Sequence, residues 1–279
     1  MKVDELGSMF FKREGTDKNA LPVVIGSHLD TQPTGGKYDG VLGVLAGLEI
    51  VRTLNDLNIQ TKHPIFVVNW TNEEGSRFPP AMMASAGYAG IYGVDTLLSA
   101  KDAEGNIFGD ELDKIGWKGS EPVGAQKFHC YYELHIEQGP ILETEGIDIG
   151  IVTHGQGLKW LEFKLNGKEQ HTGTTPMNVR KDASLAMSEI ILAVNNIANQ
   201  NQPNALGSVG HIEVSPNSRN VIAGETLFTV DIRSPDINKL NKMEQQLEKA
   251  ANEICRKYNI EINIEQIGGF DPVEFNEEC

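Results

Sequence analysis

Cysteine is scarce in this chain. Only three of its 279 residues are cysteines, Cys130, Cys255 and Cys279, and they are far apart and odd in number. Such spacing is unlike a disulfide framework and predicts reduced thiols in a cytoplasmic protein. Because no two of them form a Cys-x-x-Cys pair, we do not expect a thiolate zinc site.

Positive charge is also in short supply, with 24 basic residues against 39 acidic ones and a formal net charge of −15. That balance argues against nucleic acid or an anionic membrane surface as a partner. No apolar run approaches the ~20 residues that a membrane helix needs. Hydrophobic residues make up 39% of the chain, which is compatible with a globular core in one large domain or two smaller ones.

Polar residues follow a short apolar stretch near the start of the chain. Residues 22–26 are β-branched and apolar, which is typical of a buried strand, and His28 and Asp30 come directly after them. Their spacing places both side chains on one face of an extended chain. An imidazole beside a carboxylate is a common pairing in metal sites. There the carboxylate can accept the ring N–H that faces away from the metal and so fix the orientation and tautomer of the ring. Asp39 precedes Gly40 in a glycine-rich turn whose backbone can adopt tight geometry.

Two further strands carry chemical groups at their ends. Residues 65–70 predict a buried strand, followed by Glu73 and Glu74, and residues 131–140 predict another, with His135 near its end. A carboxylate that binds metal and a neighbour that faces a water suffice for metal-assisted hydrolysis. Each cluster alone is more typical of loop hydrogen bonds or solvated surface. Because sites in open α/β sheets gather beyond the carboxyl ends of strands, the three clusters together favour one site.

The order of predicted elements divides the chain into parts. A strand or hairpin over 2–13 and a helix over 41–57 accompany the strands above and indicate an α/β part, with a polar surface excursion over 101–126. Further along, the pattern predicts strand 158–166, helix 180–199, strands 207–214 and 225–233, helix 236–258 and strand 260–267. This β-α-β-β-α-β order is typical of a ferredoxin-like unit. We interpret 1–156 as the amino-terminal part of a catalytic domain, 157–270 as an inserted domain, and 271–279 as the return to the first domain.

Five motifs resemble those of the N-carbamoyl-L-amino-acid hydrolases. They are GSHLDTQPTGGKYDGVLGVLAGLE, VVNWTNEEGSRF, ELHIEQGP, QHTGTTPM and SRNVIAGETLFTVDIRSPD, and they span nearly the whole chain. The chain is also similar to β-ureidopropionases and allantoate amidohydrolases of the same two-metal aminoacylase/dipeptidase superfamily. The resemblance implies an α/β, mixed-sheet metallohydrolase catalytic domain with an inserted ferredoxin-like α+β domain that serves as a lid and as the interface of a homodimer.

The resemblance also implies a set of metal ligands. One ion would be held by His28, Asp39 and His135, and Asp39 would bridge to a second ion that Glu74 also binds. Zinc, manganese, cobalt or nickel would suit these ligands, and the ligand types do not choose among them. Glu73 would be the general base, with Asp30 supporting the ligands from behind.

Substrate-binding residues are implied in the same way. Arg233 would grip the α-carboxylate of the substrate with a bidentate fork. Asn220 and Gln138 would hold polar atoms of the substrate, and His171 would stabilise the oxyanion.

These residues have plainer interpretations as well. Turn hydrogen bonds would account for His171 and for the cluster at 218–220. An ion pair with Asp231 or Asp236 would account for Arg233.

The resemblance implies hydrolysis of the carbamoyl C–N bond of N-carbamoyl-L-amino acids. Glu73 would take a proton from the attacking water and pass it to the leaving nitrogen. Allantoate or β-ureidopropionate is the alternative substrate, and an inactive family member with an assembly or binding role is the alternative of another class. Family members begin earlier and continue well past residue 279, where another metal-binding histidine lies. We therefore expect a chain truncated at both ends, with an incomplete second metal site and little activity of its own.

Overall fold

A computed structural model describes all 279 residues, Met1–Cys279. The chain groups into two units, Met1–Gly150 together with Cys279, and Ile151–Glu278. The predicted boundary at residue 157 lies close to this division. The roles predicted for the ranges, and the return to the first domain at residue 271, stay predictions.

The first unit is built on a five-stranded mixed sheet. Its strands are β1 Lys2–Val3, β2 Met9–Arg13, β3 Val23–His28, β4 Ile65–Trp70 and β5 Cys130–Tyr132. They lie in the order β1-β2-β4-β3-β5. β3 runs parallel to β4 and β5, and β2 runs antiparallel to β1 and β4. The predicted α/β class with a mixed sheet is confirmed, and the carboxyl ends of the three parallel strands share one edge of the sheet.

The first unit has five helices. They are α1 Val41–Asp56, α2 Met83–Tyr88, α3 Val94–Leu98, α4 Phe108–Lys114 and α5 Ile141–Glu145. The long helix α1 packs on β3 and β4. Its approach is close because a Cβ at Gly43 would lie 2.7 Å from the side chain of Ser27. Glycine at this position therefore sets the distance between helix and sheet.

The strand predicted over 131–140 is wrong beyond Tyr132. β5 pairs with β3 only from Cys130 to Tyr132, and the following residues leave the sheet. Gln138 adopts a left-handed conformation with φ 57°, which an extended strand does not allow. His135 is thus held by an irregular segment.

The surface excursion predicted over 101–126 is also wrong in part. Within it, α4 buries Phe108 and Leu112, each 4% exposed, in the core of the first unit. These two residues are spaced i, i+4 and form one apolar face on a short helix. Their polar neighbours hide this pattern in the sequence.

The second unit contains a four-stranded antiparallel sheet and two small ribbons. The strands of the unit are β6 His154–Gly155, β7 Gly157–Asn166, β8 Gln170–His171, β9 Leu206–Ser215, β10 Val221–Ile222, β11 Glu225–Ser234, β12 Glu261–Phe270 and β13 Val273–Glu274. The main sheet has the order β12-β7-β11-β9, and β10-β8 and β13-β6 form two small ribbons. Its helices are α6 Ala183–Gln200 and α7 Ile237–Tyr258, with a 3₁₀ turn at Met177–Val179. The chain order of the long elements is the predicted β-α-β-β-α-β.

The two long helices of this unit have matching starts. The Asp182 side chain accepts hydrogen bonds from two main-chain N–H groups of the first turn of α6, and Asp236 does the same for α7. Such caps satisfy N–H groups that a helix end leaves unpaired. Both helices pack against one face of the sheet, where Phe163 and Phe228 stack with ring centroids 5.1 Å apart. The opposite face of the sheet is open, and Trp160 lies on it with 44% of its surface exposed.

None of the helices combines the length and the apolar character needed to cross a membrane. The three cysteines are free thiols.

Candidate active site

His28 ends β3 and is 2% exposed. Its Nδ1 atom donates a hydrogen bond to the carbonyl oxygen of Asp30 at 2.8 Å, which leaves the lone pair of Nε2 free. The ring lies against Gly40, whose φ is 70° and where a Cβ would come within 2.4 Å of the imidazole. The buried ring therefore needs glycine at this position.

Asp39 and His135 face the same point as His28. Oδ1 of Asp39 lies 3.2 Å from Nε2 of His135 and 4.0 Å from Nε2 of His28. The Nδ1 atom of His135 donates to the carbonyl oxygen of Ile136 at 2.9 Å. Both imidazoles thus turn a free Nε2 toward one carboxylate oxygen. The structure brings together the three residues predicted for the first metal, with ligand atoms within 4.8 Å of one another.

Glu73 and Glu74 follow β4 and lie beside His28. Oε2 of Glu73 is 3.5 Å from Nε2 of His28. One oxygen of Glu74, Oε2, accepts a hydrogen bond from Gln32 at 3.0 Å, and the other, Oε1, is buried without a partner. His28, Glu73 and Glu74 form a second group whose ligand atoms lie within 4.8 Å of one another.

Asp30 links these two groups differently from the way the sequence predicts. Its carboxylate was expected to orient the His28 ring, but its Oδ1 is 3.8 Å from Nδ1, and the main-chain carbonyl of Asp30 holds the ring instead. The carboxylate accepts the main-chain N–H groups of Glu73 at 3.2 Å and Glu74 at 3.0 Å. Asp30 therefore fixes His28 through its backbone and the glutamate pair through its side chain.

Burial raises the pKa of the Glu73 carboxyl above its ordinary value, which the nearby His28 opposes and the negative charge of Glu74 reinforces. A carboxyl whose pKa is shifted toward neutrality is better suited to take up and return a proton.

Gln138 lies at the first group of ligands. Its Nε2 donates to Oδ2 of Asp39 at 2.5 Å, so both oxygens of that carboxylate face polar groups. Its predicted contact with substrate stays a prediction.

His171 and Asn220 lie together in the second unit. The ribbon β8-β10 pairs His171 with Val221, and the main-chain N–H of Thr172 donates to the carbonyl of Asn220 at 3.1 Å. Nδ1 of His171 accepts the main-chain N–H of Gly173 at 3.0 Å. The side-chain oxygen of Asn220 accepts the hydroxyl of Ser218 at 3.0 Å. Both residues make the turn hydrogen bonds expected of them, and each keeps donor groups free: Nε2–H of a neutral His171 and the amide N–H groups of Asn220.

Arg233 lies near the end of β11 and pairs with Asp231. Its Nη2 is 2.7 Å from Oδ2 of that aspartate. The ion pair that the residues alone predict is therefore present, and the side chain of Arg233 is still 44% exposed.

Sequence reasoning missed one residue that shapes the site and the role of another. Gln32 holds one oxygen of Glu74, and Gly40, expected only to permit a tight turn, makes room for the His28 ring. A signal for Gly40 exists, since an Asp-Gly pair marks a tight turn. Gln32 has none, because its partner is 42 residues away.

A profile of Peptidase family M20/M25/M40 matches residues 24–278. The chain belongs to this family.

Relatives within the M20 family support the resemblance found in the motifs. N-carbamoyl-L-amino-acid amidohydrolase of Rhizobium meliloti is 60% identical over 276 residues, which are 99% of this chain and 66% of that protein. Allantoate amidohydrolase of Escherichia coli is 35% identical over 99% of this chain and 68% of its own length. A crystal structure of an amidase of the hydantoinase/carbamoylase family from Burkholderia multivorans matches 100% of this chain and 68% of that chain, with a TM-score of 0.93 and 48% identity. The chain spans about two thirds of the length of these relatives.

Hydrolases of the M20 family use divalent metal ions, and the residues present here fit such ions. Two imidazoles offer free Nε2 atoms toward a shared carboxylate. A buried carboxylate oxygen of Glu74 has no protein partner, which is costly unless a cation or water satisfies it. Nitrogen and oxygen donors of this kind suit zinc, manganese, cobalt and nickel.

Proposed function

We propose that the chain carries the metal-binding and proton-transfer groups of a hydrolase that cleaves the carbamoyl C–N bond of N-carbamoyl-L-amino acids. The observation that supports it most directly is the convergence of His28, Asp39 and His135, with Glu73 and Glu74 alongside. The name of the relative that is 60% identical supplies the substrate class.

Two divalent ions would bind at these residues, one at His28, Asp39 and His135 and the other at Asp39 and Glu74. When bound, such ions supply Lewis-acid chemistry by lowering the pKa of water and polarising a carbonyl. Zinc, manganese, cobalt and nickel remain equal candidates. The incompleteness of the second site stays a prediction.

Glu73 is the proton carrier in this proposal. It takes a proton from the attacking water and returns it to the leaving nitrogen of the amino acid, so that the C–N bond breaks and the amino acid and carbamic acid result. Carbamic acid then breaks down to ammonia and carbon dioxide. Its raised pKa supports this role, since the proton must be both accepted and released.

Residues of the second unit would bind the substrate. His171 offers Nε2–H to the carbonyl oxygen on which negative charge develops, and the fixed polarity of its ring supports this role. Arg233 binds the α-carboxylate, and Asn220 and Gln138 hold other polar atoms.

The same site would suit a related substrate. Allantoate also bears a ureido group and a carboxylate, and the Escherichia coli relative named for it is 35% identical. An inactive chain with a binding or assembly role is the alternative of another class. The intact set of ligand residues argues against it.

Assembly and location form a further part of the proposal. We expect a homodimer through the predicted inserted domain, where β9 is an edge strand of the four-stranded sheet. An unpaired edge is available for pairing with a second copy. A cytoplasmic location remains a prediction from the separated, free cysteines.

The test is a substrate panel with metal analysis. The purified chain, loaded in turn with zinc, manganese, cobalt and nickel, is assayed with N-carbamoyl-L-amino acids, allantoate and β-ureidopropionate. Ammonia release from the carbamoyl amino acids, lost in Glu73→Gln, supports the proposal. Faster turnover of allantoate would transfer the assignment to that substrate. Because the chain is expected to have little activity of its own, the contradicting outcome is turnover of none of the three together with no binding of N-carbamoyl-L-alanine by the metal-loaded chain.

A further inference from the structure

Asp231 and Arg233 lie side by side on β11. Because they are two residues apart, both side chains project from the open face of the sheet, opposite the helices. Nε of Arg233 lies 3.0 Å from Oδ1 and 3.1 Å from Oδ2 of Asp231, and Nη2 lies 2.7 Å from Oδ2. The aspartate thus occupies one edge of the guanidinium. The other edge, formed by Nη1 and the second N–H of Nη2, remains available to another planar acceptor.

Trp160 holds this aspartate from the neighbouring strand. It is the direct partner of Asp231 across the β7–β11 ladder, and its Nε1–H donates to Oδ2 of Asp231 at 3.0 Å. On its other side the indole covers Gly268 of β12, where a Cβ would lie 3.0 Å from Cε3 of the ring. Trp160 is therefore fixed by contacts on both sides although it lies on an open face.

We infer that Trp160 and Asp231 are positioning residues that aim the outer edge of Arg233 at the carboxylate of an N-carbamoyl amino acid. The inference rests on the proposed function, which assigns that carboxylate to Arg233.

Holding one edge of the guanidinium has two consequences for recognition. The side chain loses less conformational freedom when it binds, because its rotamer is already set. Asp231 also cancels the charge of Arg233. A ligand is then selected by the direction of two N–H donors, which match a carboxylate, rather than by charge alone.

The test follows the Nε–H resonance of Arg233 by NMR in the full chain, with metal removed by a chelator so that no turnover occurs. The resonance is assigned by its loss in Arg233→Lys. N-carbamoyl-L-alanine is titrated first, and then ethylurea, which is the same molecule without the carboxylate. Trp160→Phe keeps the ring over Gly268 but removes the donor.

Matched controls accompany the two positioning variants. Trp117→Phe makes the same change at another exposed indole, in the first unit. Glu162→Gln removes a carboxylate from the open face of β7, where no contact with Arg233 exists. Melting temperatures are recorded for all variants. If Trp160→Phe unfolds, Asp231→Asn carries the test alone.

The expected result is a saturable shift of the Arg233 signal with N-carbamoyl-L-alanine and none with ethylurea. Binding weakens about tenfold in Trp160→Phe and in Asp231→Asn, the effect of losing a hydrogen bond in a charged network. It is unchanged in both controls. Unchanged binding in the positioning variants overturns the inference and leaves the proposed function standing. Tighter binding in Asp231→Asn also overturns it, because Asp231 would then compete with the substrate. In the unaltered chain, the Arg233 signal could also respond equally to both ligands or to neither. Either result would show that Arg233 does not bind the carboxylate, which rejects that part of the proposed function and the inference with it.

Discussion

The main-chain N–H of Gly173 donates to Nδ1 of His171 at 3.0 Å. This polarity is the reverse of that at His28 and His135, whose Nδ1 atoms donate to main-chain carbonyls. A neutral His171 therefore carries its proton on Nε2 and presents a donor, whereas the other two present lone pairs. The main-chain groups around each ring thus determine its tautomer. His28 and His135 are suited to bind metal, and His171 is suited to stabilise a developing negative charge.

Replacing His171 by Ala is expected to lower kcat about 10²–10³-fold, the usual loss when one oxyanion donor is removed. Metal content should be unchanged, because Nε2 of this ring is a donor and not a ligand. His211→Ala is the matched control, since His211 is an exposed histidine of the same unit paired with Glu213. Kinetics and elemental analysis on both variants check the prediction. Loss of metal in His171→Ala would contradict it.

Two of the ligand clusters follow strands whose apolar pattern is plain, whereas His135 follows the three-residue strand β5. β3 and β4 lie where the pattern places them, and their parallel pairing brings His28 close to Glu73. The pattern could not show that the main-chain carbonyl of Asp30 binds His28 while its carboxylate binds the glutamate pair. The carboxylate of Asp30 binds main-chain groups more than 40 residues away, and no local spacing encodes that contact.

Two errors in the fold have local causes. The segment 133–140 contains alternating apolar residues but no partner strand, so its pattern alone suggests a strand that does not form. Conversely, Phe108 and Leu112 bury one face of a short helix that polar neighbours disguise. In both cases tertiary context outweighs local preference.

Glu73 and Glu74 should have separable effects when each is changed to Gln in an active family member that carries the same pair. Glu73→Gln is expected to keep its metal and lose about 10²–10⁴-fold in rate, because the proton carrier is removed while the ligands remain. Glu74→Gln is expected to lose metal as well, since its buried Oε1 has no other partner. Metal content by elemental analysis, measured beside the rate, decides the assignment. Equal metal loss in the two variants would mean that the roles are wrongly assigned.

Gly40→Ala should disturb the metal site. The new Cβ would lie within 2.4 Å of the His28 ring, and φ at this position is 70°, so both a clash and backbone strain are expected. Metal affinity should fall by about 10–100-fold, as when the support of a ligand is lost. A calorimetric titration of the metal-free chain with zinc measures the change in affinity.

Gly90→Ala is the matched control for this variant. Its φ is 76°, but no atom lies within 4 Å of the added Cβ, so it carries the backbone strain without the clash. It should lower stability by about 1 kcal/mol and leave zinc affinity unchanged. Equal zinc affinity in the two variants would show that Gly40 does not seat the His28 ring.

Asp4 should make stability depend on pH. Its side chain is 2% exposed, Oδ1 accepts the N–H groups of Leu6 and Ser8, and Oδ2 has no partner. Burial raises the pKa of Asp4 from 3.8 to about 6. The folded state therefore binds this proton more tightly than the unfolded state. The protonated Asp4 therefore contributes to the free energy of unfolding. This stabilising contribution is fully present below pH 3.8 and is lost as the pH rises through about 6. Two pKa units correspond to about 3 kcal/mol.

Asp4→Asn removes this titration while keeping an oxygen for the two N–H groups. We expect the difference in unfolding free energy between Asp4→Asn and the unaltered chain to shift in favour of the variant by about 2 kcal/mol between pH 4 and pH 7. Urea unfolding at several pH values in this range measures it. Asp148→Asn, which removes an exposed carboxylate of the same unit, is the matched control. A constant difference for Asp4→Asn would show that Asp4 is ionised in the folded protein at no cost, and that its burial is relieved by water.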